Sequence, residues 1–458
     1  MSNKTMLTDE YQLTMMASYI DNNINDEATF DMFIRKLPDD WGYFIANGIE
    51  DAIDYATNIK FTGEDIDFLR NQKKYSEDFL GFLKNFKFKG EIYSVKEGEI
   101  VFPNQPLMRI TANRTEAQFL ETAILNTINF QTMIASKANR IVNSAIDSIV
   151  IDFGVRRAQE EDAAMKGSRA AFIGGAVGTS NVKAGMEYDI PTGGTQAHSF
   201  VMSFPNELDA FRAYAKTFPD RSVFLIDTYN TIQGAEYAAI VAKEMEEKGH
   251  KLMGVRLDSG DLELLSKKVR YILDGYGLDY VKIYASNDLN EYKIEDLVKN
   301  GARIDAFGVG TEMITAKPIS AISGVYKLVE DSTGPKMKFS TGKESNPGKK
   351  QIYRISDENN IYQYDVIGLE GEKIEGTPLL EKVVENGYRL TERRNLNETR
   401  YYALDSVSRL PDRLKEVRVT GKYEVRKSDG LMNLIDDLGE KYLQSRPFYS
   451  IFHPVSTN

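Results

Sequence analysis

The sequence predicts an α/β protein. Its centre is a parallel sheet closed into a TIM-like α/β barrel, and an additional α+β domain is built from the N-terminal and C-terminal regions. Three observations lead there. Between residues 149 and 308, short runs rich in β-branched residues alternate with amphipathic stretches long enough for helices. On either side of that stretch the rhythm gives way to mixed strand and helix patterns punctuated by Gly and Pro. No G-x-G-x-x-G opens the first helix of the alternation, which weighs against an open, doubly wound sheet. The division expected is an N-terminal α+β region over 1–130, a catalytic barrel over 131–325, and a C-terminal region over 326–458 that packs on the first.

Taken in order, Thr8 or Asp9 caps a first helix through Tyr11, Leu13, Met16 and Ile20. Ile45, Ile49, Ala52 and Tyr55 recur at helical spacing. Ile92, Val95, Ile100, Phe102, Leu107 and Ile110, interrupted by Gly and Pro, read as short strands. Residues 113–144 return to helical spacing. The barrel strands are then expected at 149–153, 171–175, 190–196, 223–227, 252–258, 281–286 and 304–308. Helices fill the gaps: one over 232–248 stopped by Gly249, one behind Ser259 and Asp261, and one ending at Gly301. Residues 325–400 alternate short strands with turns, and 407–445 carry helical material.

Composition narrows the function. The chain has 458 residues, long enough for roughly three domains at ~150 residues each. Its formal net charge of −11 argues against binding nucleic acid or an anionic membrane. The absence of cysteine removes disulfides, thiolate zinc sites and thiol nucleophiles together. No secretory pattern opens the chain and no apolar run approaches the ~18 residues of a membrane span, so a cytoplasmic location is expected. An anionic ligand stays compatible with this balance, because local cations work inside an acidic envelope.

In a barrel, reactive groups stand at the C-terminal ends of the strands. Those ends carry Asp152-Phe-Gly-Val-Arg-Arg157, Gly174-Gly-Ala-Val-Gly-Thr-Ser180, Gly193-Gly-Thr-Gln-Ala-His198, Asp227-Thr-Tyr-Asn230, Arg256-Leu-Asp-Ser-Gly260, Ser286-Asn-Asp288 and Gly308-Val-Gly-Thr311. Glycine turns expose N–H groups to phosphate oxygens. Arginine forks match carboxylates and phosphates. Aspartates suit a hard divalent ion that bridges phosphates. A phosphorylated sugar substrate follows from this set. Each string alone also has a plain structural reading: a Gly-x-Gly-Thr as a turn, a strand-end Asp as a helix cap, a lone histidine as a packed side chain. His198 rises above that reading by following a glycine turn at a strand end, whereas His250 and His453 read as incidental. Lys338, Lys343, Lys349, Lys350 and Arg354 read as a solvated basic loop, or as one that draws in phosphates.

Together these strings resemble the nicotinate phosphoribosyltransferases. The resemblance runs from Leu7-Thr-Asp-Glu-Tyr-Gln-Leu-Thr-Met15 through each strand end above to Phe339-Ser and Pro347-Gly-Lys-Lys350, nearly the whole chain. It implies an irregular α/β barrel in a homodimer with active sites at the subunit interface. The implied reaction joins nicotinate to 5-phosphoribosyl 1-diphosphate, giving nicotinate mononucleotide and diphosphate while ATP is hydrolysed. By the same resemblance His198 is transiently phosphorylated, and Tyr11 reaches in from the neighbouring subunit to cover the pyridine ring. Thr195 and Arg256 lie at the nicotinate, and Gly310 and Thr311 at the ribosyl phosphate.

The chemistry of the residues agrees with these roles. Breaking the anomeric C–O bond builds oxocarbenium character on the sugar and negative charge on the leaving diphosphate, which Mg²⁺ and cationic side chains stabilise. Phe153 and Tyr11 sandwich the flat ring, and Arg256 pairs with its carboxylate or stacks on it. Arg157 is a further cation for the substrate. Asp227 and Asp258 are candidates for ribose hydroxyls or Mg²⁺, with Asp258 grouped with His198 and Arg256 in catalysis. Gly178-Thr179 is followed by Ser180, where the nicotinamide-using relatives carry Asp; the missing carboxylate favours the acid over the amide.

Overall fold

The computed structural model describes residues 4–340 and 342–443; His453 lies outside them. The chain opens with α1 (Glu10–Asp21), entered through Asp9, which buries Leu13 and Met16. Next come β1 (Glu27–Ile34), β2 (Phe44–Ile45) and α2 (Ile49–Asn58). Ile45 is therefore a strand residue, and the helical spacing begins only after Gly48, whose φ of +84° suits glycine. Helix α3 (Gly63–Asn71) starts in a capping box, with the Thr62 hydroxyl on Asp65 N–H and the Asp65 carboxylate on Thr62 N–H. After α4 (Glu77–Lys84) come β3 (Glu91–Ser94), β4 (Ile100–Val101) and β5 (Pro106–Asn113), then α5 (Arg114–Phe119) and the long α6 (Glu121–Ser144). The expected boundary at 130/131 falls inside α6.

The middle of the chain supplies the parallel sheet. Its elements are β6 (Ile149–Asp152), α7 (Glu160–Ile173), α8 (Val182–Tyr188), α9 (His198–Met202), α10 (Glu207–Thr217), β7 (Val223–Leu225), α11 (Thr231–Glu246), β8 (Gly254–Leu257), α12 (Leu262–Gly275), β9 (Lys282–Ala285), α13 (Glu291–Lys299), β10 (Ala306–Val309) and the short α14 (Thr311–Ile314). The five strands pair in the order β6-β10-β9-β8-β7, each contact parallel. Asn230, Asp261 and Asn290 cap α11, α12 and α13 through their side chains, so each loop leaving a strand end is pinned within a few residues.

Two expectations are corrected here. The hydrogen-bonded ladder does not close into a barrel. Beyond β6 the sheet continues only as single parallel bridges, Asp152 to Thr179 and Thr179 to Thr192, and β7 remains an edge. Short glycine-containing segments supply one pairing each there, too few to propagate a strand, so the strand expected at 190–196 is reduced to a bridge at Thr192. The strand expected at 171–175 is the C-terminal turn of α7. Ala-Ala-Phe-Ile is as compatible with helix as with strand, and packing settles it: a Cβ on Gly174 would fall 2.3 Å from the Ala135 carbonyl oxygen of α6.

The last third contains β11 (Gly324–Asp331), β12 (Gly334–Pro335), β13 (Lys350–Ser356), β14 (Tyr362–Leu369), β15 (Thr377–Pro378), β16 (Glu381–Glu385), β17 (Tyr388–Arg389), α15 (Leu396–Ser408), α16 (Asp412–Lys415), β18 (Glu424–Lys427) and α17 (Asp429–Leu443). A seven-stranded sheet in the order β12-β11-β1-β5-β3-β16-β17 interleaves strands from both ends of the chain, and β1 is flanked by β5 and β11 in antiparallel register. A second sheet runs β15-β13-β14-β18. The reading of 338–354 as a solvated basic loop is corrected in part. Lys350 is buried against Asp31 at 2.9 Å, and Arg354 is buried between Glu99 and Asp365. Lys338 and Lys343 remain exposed.

Candidate active site

The site collects at the C-terminal ends of the parallel strands. Arg256, the third residue of β8, is its organising cation. Its Nη1 donates to Thr195 Oγ1 at 2.6 Å, its Nε donates to Ser286 Oγ at 3.0 Å, and its Nη2 lies 3.2 Å from Asp258 Oδ1. The guanidinium carbon stands 5.8 Å from the centre of the Phe153 ring, within cation–π range. Strands β6, β8 and β9 and the 190–196 segment therefore converge on one arginine. Two of its four partners are neutral hydroxyls.

His198 opens α9 beside this group, with its side chain 41% exposed. Its Nδ1 lies 3.1 Å from Thr228 Oγ1, and its Nε2 is 3.7 Å from Asp258 Oδ2, outside hydrogen-bond range. Asp258 joins the two sides. Burial opposes its ionisation, but the hydrogen bond from Ser286 and the charges of Arg256 and His198 hold its carboxyl below the usual range. It is thus an anion shared between the arginine and the histidine.

Behind them lies a set of buried, incompletely partnered groups. Asp227 Oδ2 accepts the Asp258 N–H at 2.9 Å and the Ser259 hydroxyl at 2.5 Å, while its Oδ1 is buried without a partner. Glu207, at the start of α10, is buried with Oε1 likewise unpartnered. Burial and then the Asp227 charge push its carboxyl up to about 7. Both polar side-chain atoms of the buried Gln196 also lack partners. Orphaned buried polar groups are uncommon in folded proteins and gather where ligands or ions complete them. Glu207 was not singled out from sequence; a glutamate just after a capping asparagine reads as an ordinary helix-start residue. Thr228, Ser259 and Ser286 sat within the expected strings, but only the fold gives them partners.

Phe153 leaves the end of β6, and its N–H donates to the Val309 carbonyl at 2.8 Å. A Cβ on Gly308 would fall 2.4 Å from the Phe153 ring, so glycine there is a condition of the ring's position. Gly310 and Thr311 open α14 next to it. The other two expected residues are not drawn in. Arg157 is exposed on the 3-10 turn Val155–Arg157, and among the described residues no hydrogen bond or ion pair links it to Arg256, Asp258 or His198. Tyr11 lies on α1, 47% exposed, with its hydroxyl 3.2 Å from Glu121. His250 pairs with Asp220 at 2.9 Å, at the surface. No group of three or more metal-ligating side chains occurs among the described residues, and no helix among them is long and apolar enough to cross a membrane.

An arginine held partly by displaceable hydroxyls, beside an aromatic face, a histidine and a row of aspartates at parallel strand ends, defines an α/β enzyme for organic anions. Residues 6–129 match the nicotinate phosphoribosyltransferase (NAPRTase) N-terminal domain, and residues 149–342 match the nicotinate phosphoribosyltransferase (NAPRTase) family. A nicotinate phosphoribosyltransferase of Bacillus subtilis (strain 168) is 40% identical, over 92% of this chain and 92% of that protein. One from Mycobacterium tuberculosis (strain ATCC 25618 / H37Rv) is 39% identical, over 93% and 92%. The crystal structure of human nicotinic acid phosphoribosyltransferase superposes with a TM-score of 0.84 at 26% identity, covering 94% of this chain and 100% of that one. The chain belongs to the nicotinate phosphoribosyltransferase family, enzymes of NAD biosynthesis that act on nicotinate.

Proposed function

We propose that the site joins nicotinate to 5-phosphoribosyl 1-diphosphate and couples the reaction to ATP through a phosphohistidine at His198. The observation that carries this reading is the Arg256–Asp258–His198 arrangement, which sets a carboxylate-binding cation and a potential nucleophile on either side of one aspartate. Nicotinate lies on Phe153 with its carboxylate at Arg256, displacing the Thr195 and Ser286 hydroxyls or sharing the guanidinium with them. The pyridine nitrogen attacks the anomeric carbon, the C–O bond to diphosphate breaks, and diphosphate leaves with the electron pair. No protein base is required, because the ring nitrogen carries no proton to remove. Gly310 and Thr311 hold the ribosyl phosphate, and Asp227 and Asp258 face the ribose hydroxyls.

In the coupling step a ring nitrogen of His198 attacks the terminal phosphorus of ATP, and ADP departs. The phosphoryl group adds about −1.5 to −2 charge next to Arg256 and Asp258 and alters how tightly diphosphate is held. Mg²⁺, when bound, neutralises the leaving diphosphate. The oxygen-rich but sparse donor set of Asp227 and Asp258 fits an ion that arrives on the diphosphate and takes one or two carboxylates from the chain. Tyr11, exposed and bonded to Glu121 with no bond to Arg256, Asp258 or His198 of its own chain, serves the neighbouring subunit of a homodimer. The need for ATP favours a cytoplasmic enzyme.

The test is incubation with γ-labelled ATP and Mg²⁺, followed by nicotinate and 5-phosphoribosyl 1-diphosphate. Acid-labile label on His198 and formation of nicotinate mononucleotide are expected. Product without label removes the phosphohistidine. Product from nicotinamide but not from nicotinate overturns the inference drawn from Ser180. Mixing Tyr11→Ala with His198→Ala chains regenerates activity if the sites lie at a subunit interface, and an inactive mixture counts against it.

A further inference from the structure

At the end of β6 a carboxylate sits in the core without a cation. Asp152 is fully buried, and no ion pair among the described residues includes it. Burial pushes its carboxyl up, against the pull of its hydrogen bonds from Gly154, Thr179 and Ser168. Isolated buried charge is costly, so the fold keeps this one for what its hydrogen bonds join. Oδ1 accepts the Gly154 N–H at 2.8 Å, in the turn that follows Phe153. Oδ2 accepts the Ser168 hydroxyl of α7 at 2.8 Å and the Thr179 hydroxyl at 2.8 Å. Three separate chain segments therefore meet on one side chain.

Two of those segments border the expected pyridine site. The Gly154 turn carries Phe153. Thr179 continues sideways into the glycine turn, since its N–H donates to the Pro191 carbonyl and its carbonyl accepts the Gly193 N–H, both at 3.0 Å. That turn ends in Thr195, the hydroxyl on Arg256. The main chain of Asp152 strengthens the link: its N–H donates to Gly178 O at 3.0 Å and its carbonyl accepts Ser180 N–H at 2.8 Å. The Asp152 side chain accepts all three bonds at once, one on Oδ1 and two on Oδ2. An asparagine that kept its oxygen toward Gly154 N–H would point its NH₂ at Thr179 Oγ1, which already accepts the Asn181 N–H at 3.0 Å.

We propose that Asp152 is a positioning residue for the pyridine slot. It fixes the spacing between the Phe153 turn and the Thr179–Thr195 wall, and so governs affinity for the flat pyridine carboxylate without touching it. The inference rests on the placement of nicotinate between Phe153 and Arg256 given above. Ser168 provides the comparison: it bonds the same carboxylate from α7 and, although its Oγ also lies 3.3 Å from Thr179 Oγ1, it belongs to neither chain segment that borders the slot.

The experiment measures Tm, kcat and the KM of each substrate for Asp152→Asn, Thr179→Val, Thr179→Ser and Ser168→Ala in the full chain. Losing one buried bond at a wall raises the nicotinate KM about tenfold in Thr179→Val, with kcat and the other KM within about twofold. Thr179→Ser restores the nicotinate KM. Ser168→Ala lowers Tm and leaves that KM unchanged. Asp152→Asn raises it at least as far as Thr179→Val, and if that variant does not fold, the Thr179 and Ser168 series still decides. An unchanged nicotinate KM in folded Thr179→Val overturns the proposal. So does a parallel rise in both KM values, or a rise in Ser168→Ala equal to that in Thr179→Val. Failure of the underlying placement looks different: there Arg256→Lys would leave the nicotinate KM unchanged.

Discussion

Arg354 and Arg256 both hold an aspartate, and their surroundings explain why one builds the fold and the other serves the site. Arg354 is buried with two carboxylates, Glu99 on Nη1 and Asp365 on Nε and Nη2, while the Ile100 carbonyl takes a further Nη2 bond and the Tyr362 ring lies 4.4 Å away. Four of its five N–H donors are taken by permanent partners. Arg256 has one carboxylate, shared with His198, and two hydroxyls, and its side chain is 13% exposed. Hydroxyls rotate and yield at little cost, so an incoming carboxylate can improve the pairing of Arg256 but not that of Arg354. The contrast extends to the acids. Asp365 also receives the hydroxyl of Tyr423 and the amide of Gln105, whereas Asp227 and Glu207 each keep an unpartnered oxygen. Saturated polar networks specify a core, and unsaturated ones wait for a ligand.

Breaking each member should therefore move a different observable. Arg354→Met leaves Glu99 and Asp365 buried without their cation, and a stability loss of about 3–5 kcal/mol is expected in denaturant melts. The nicotinate KM of the surviving folded protein should change little. Arg256→Lys removes the fork while keeping the charge, and kcat/KM for nicotinate should fall on the order of 10²-fold, with Tm nearly unchanged. Equal stability losses in the two variants would erase the distinction between them.

A smaller effect sharpens the comparison of the acids. The Glu207 carboxyl, raised from its ordinary 4.5 to about 7, binds its proton more tightly in the folded chain than in the unfolded one. Its contribution to stability is therefore present below pH 4.5 and is lost as pH rises through 7. Glu207→Gln should flatten that part of the stability–pH curve. The gain of the variant relative to the parent grows between pH 4.5 and 7 by up to about 3 kcal/mol, the ceiling set by ~1.4 kcal/mol per pH unit. Parallel stability–pH curves for the two chains would mean that Glu207 ionises normally.

Much of the local structure was legible in the sequence. The helices behind Asp9 and Asp261 and those that stop at Gly249 and Gly301 are written in apolar spacing and end residues, which act within a few residues of chain. The strand end bearing Arg256 and Asp258 was legible for the same reason, through a β-branched run that stops at Asp and Gly, whereas the run at 190–196 that leads to Thr195 and His198 makes a single bridge and no strand. Residues 171–175 were misread because a short apolar run carries no period, and only the approach of Gly174 to α6 distinguishes helix from strand. Both Arg157 and Arg256 stood in the sequence as cations for the substrate, and the fold brought only Arg256 into the network.

What the sequence by itself determined was the alternating α/β class, the family resemblance and the chemical types available at the strand ends. Tertiary structure decided that β1 lies between β5 and β11, that the parallel ladder stops short of closing, and that Lys350 and Arg354 are core residues. It also decided that Asp152 and Glu207 are buried and Asp227 half-buried, with unequal satisfaction of their oxygens. The physical reason is common to all of these. Helix periods and caps are interactions between near neighbours in the chain, whereas strand pairing and the burial of charge depend on segments as far apart as Ala28 and Asp331.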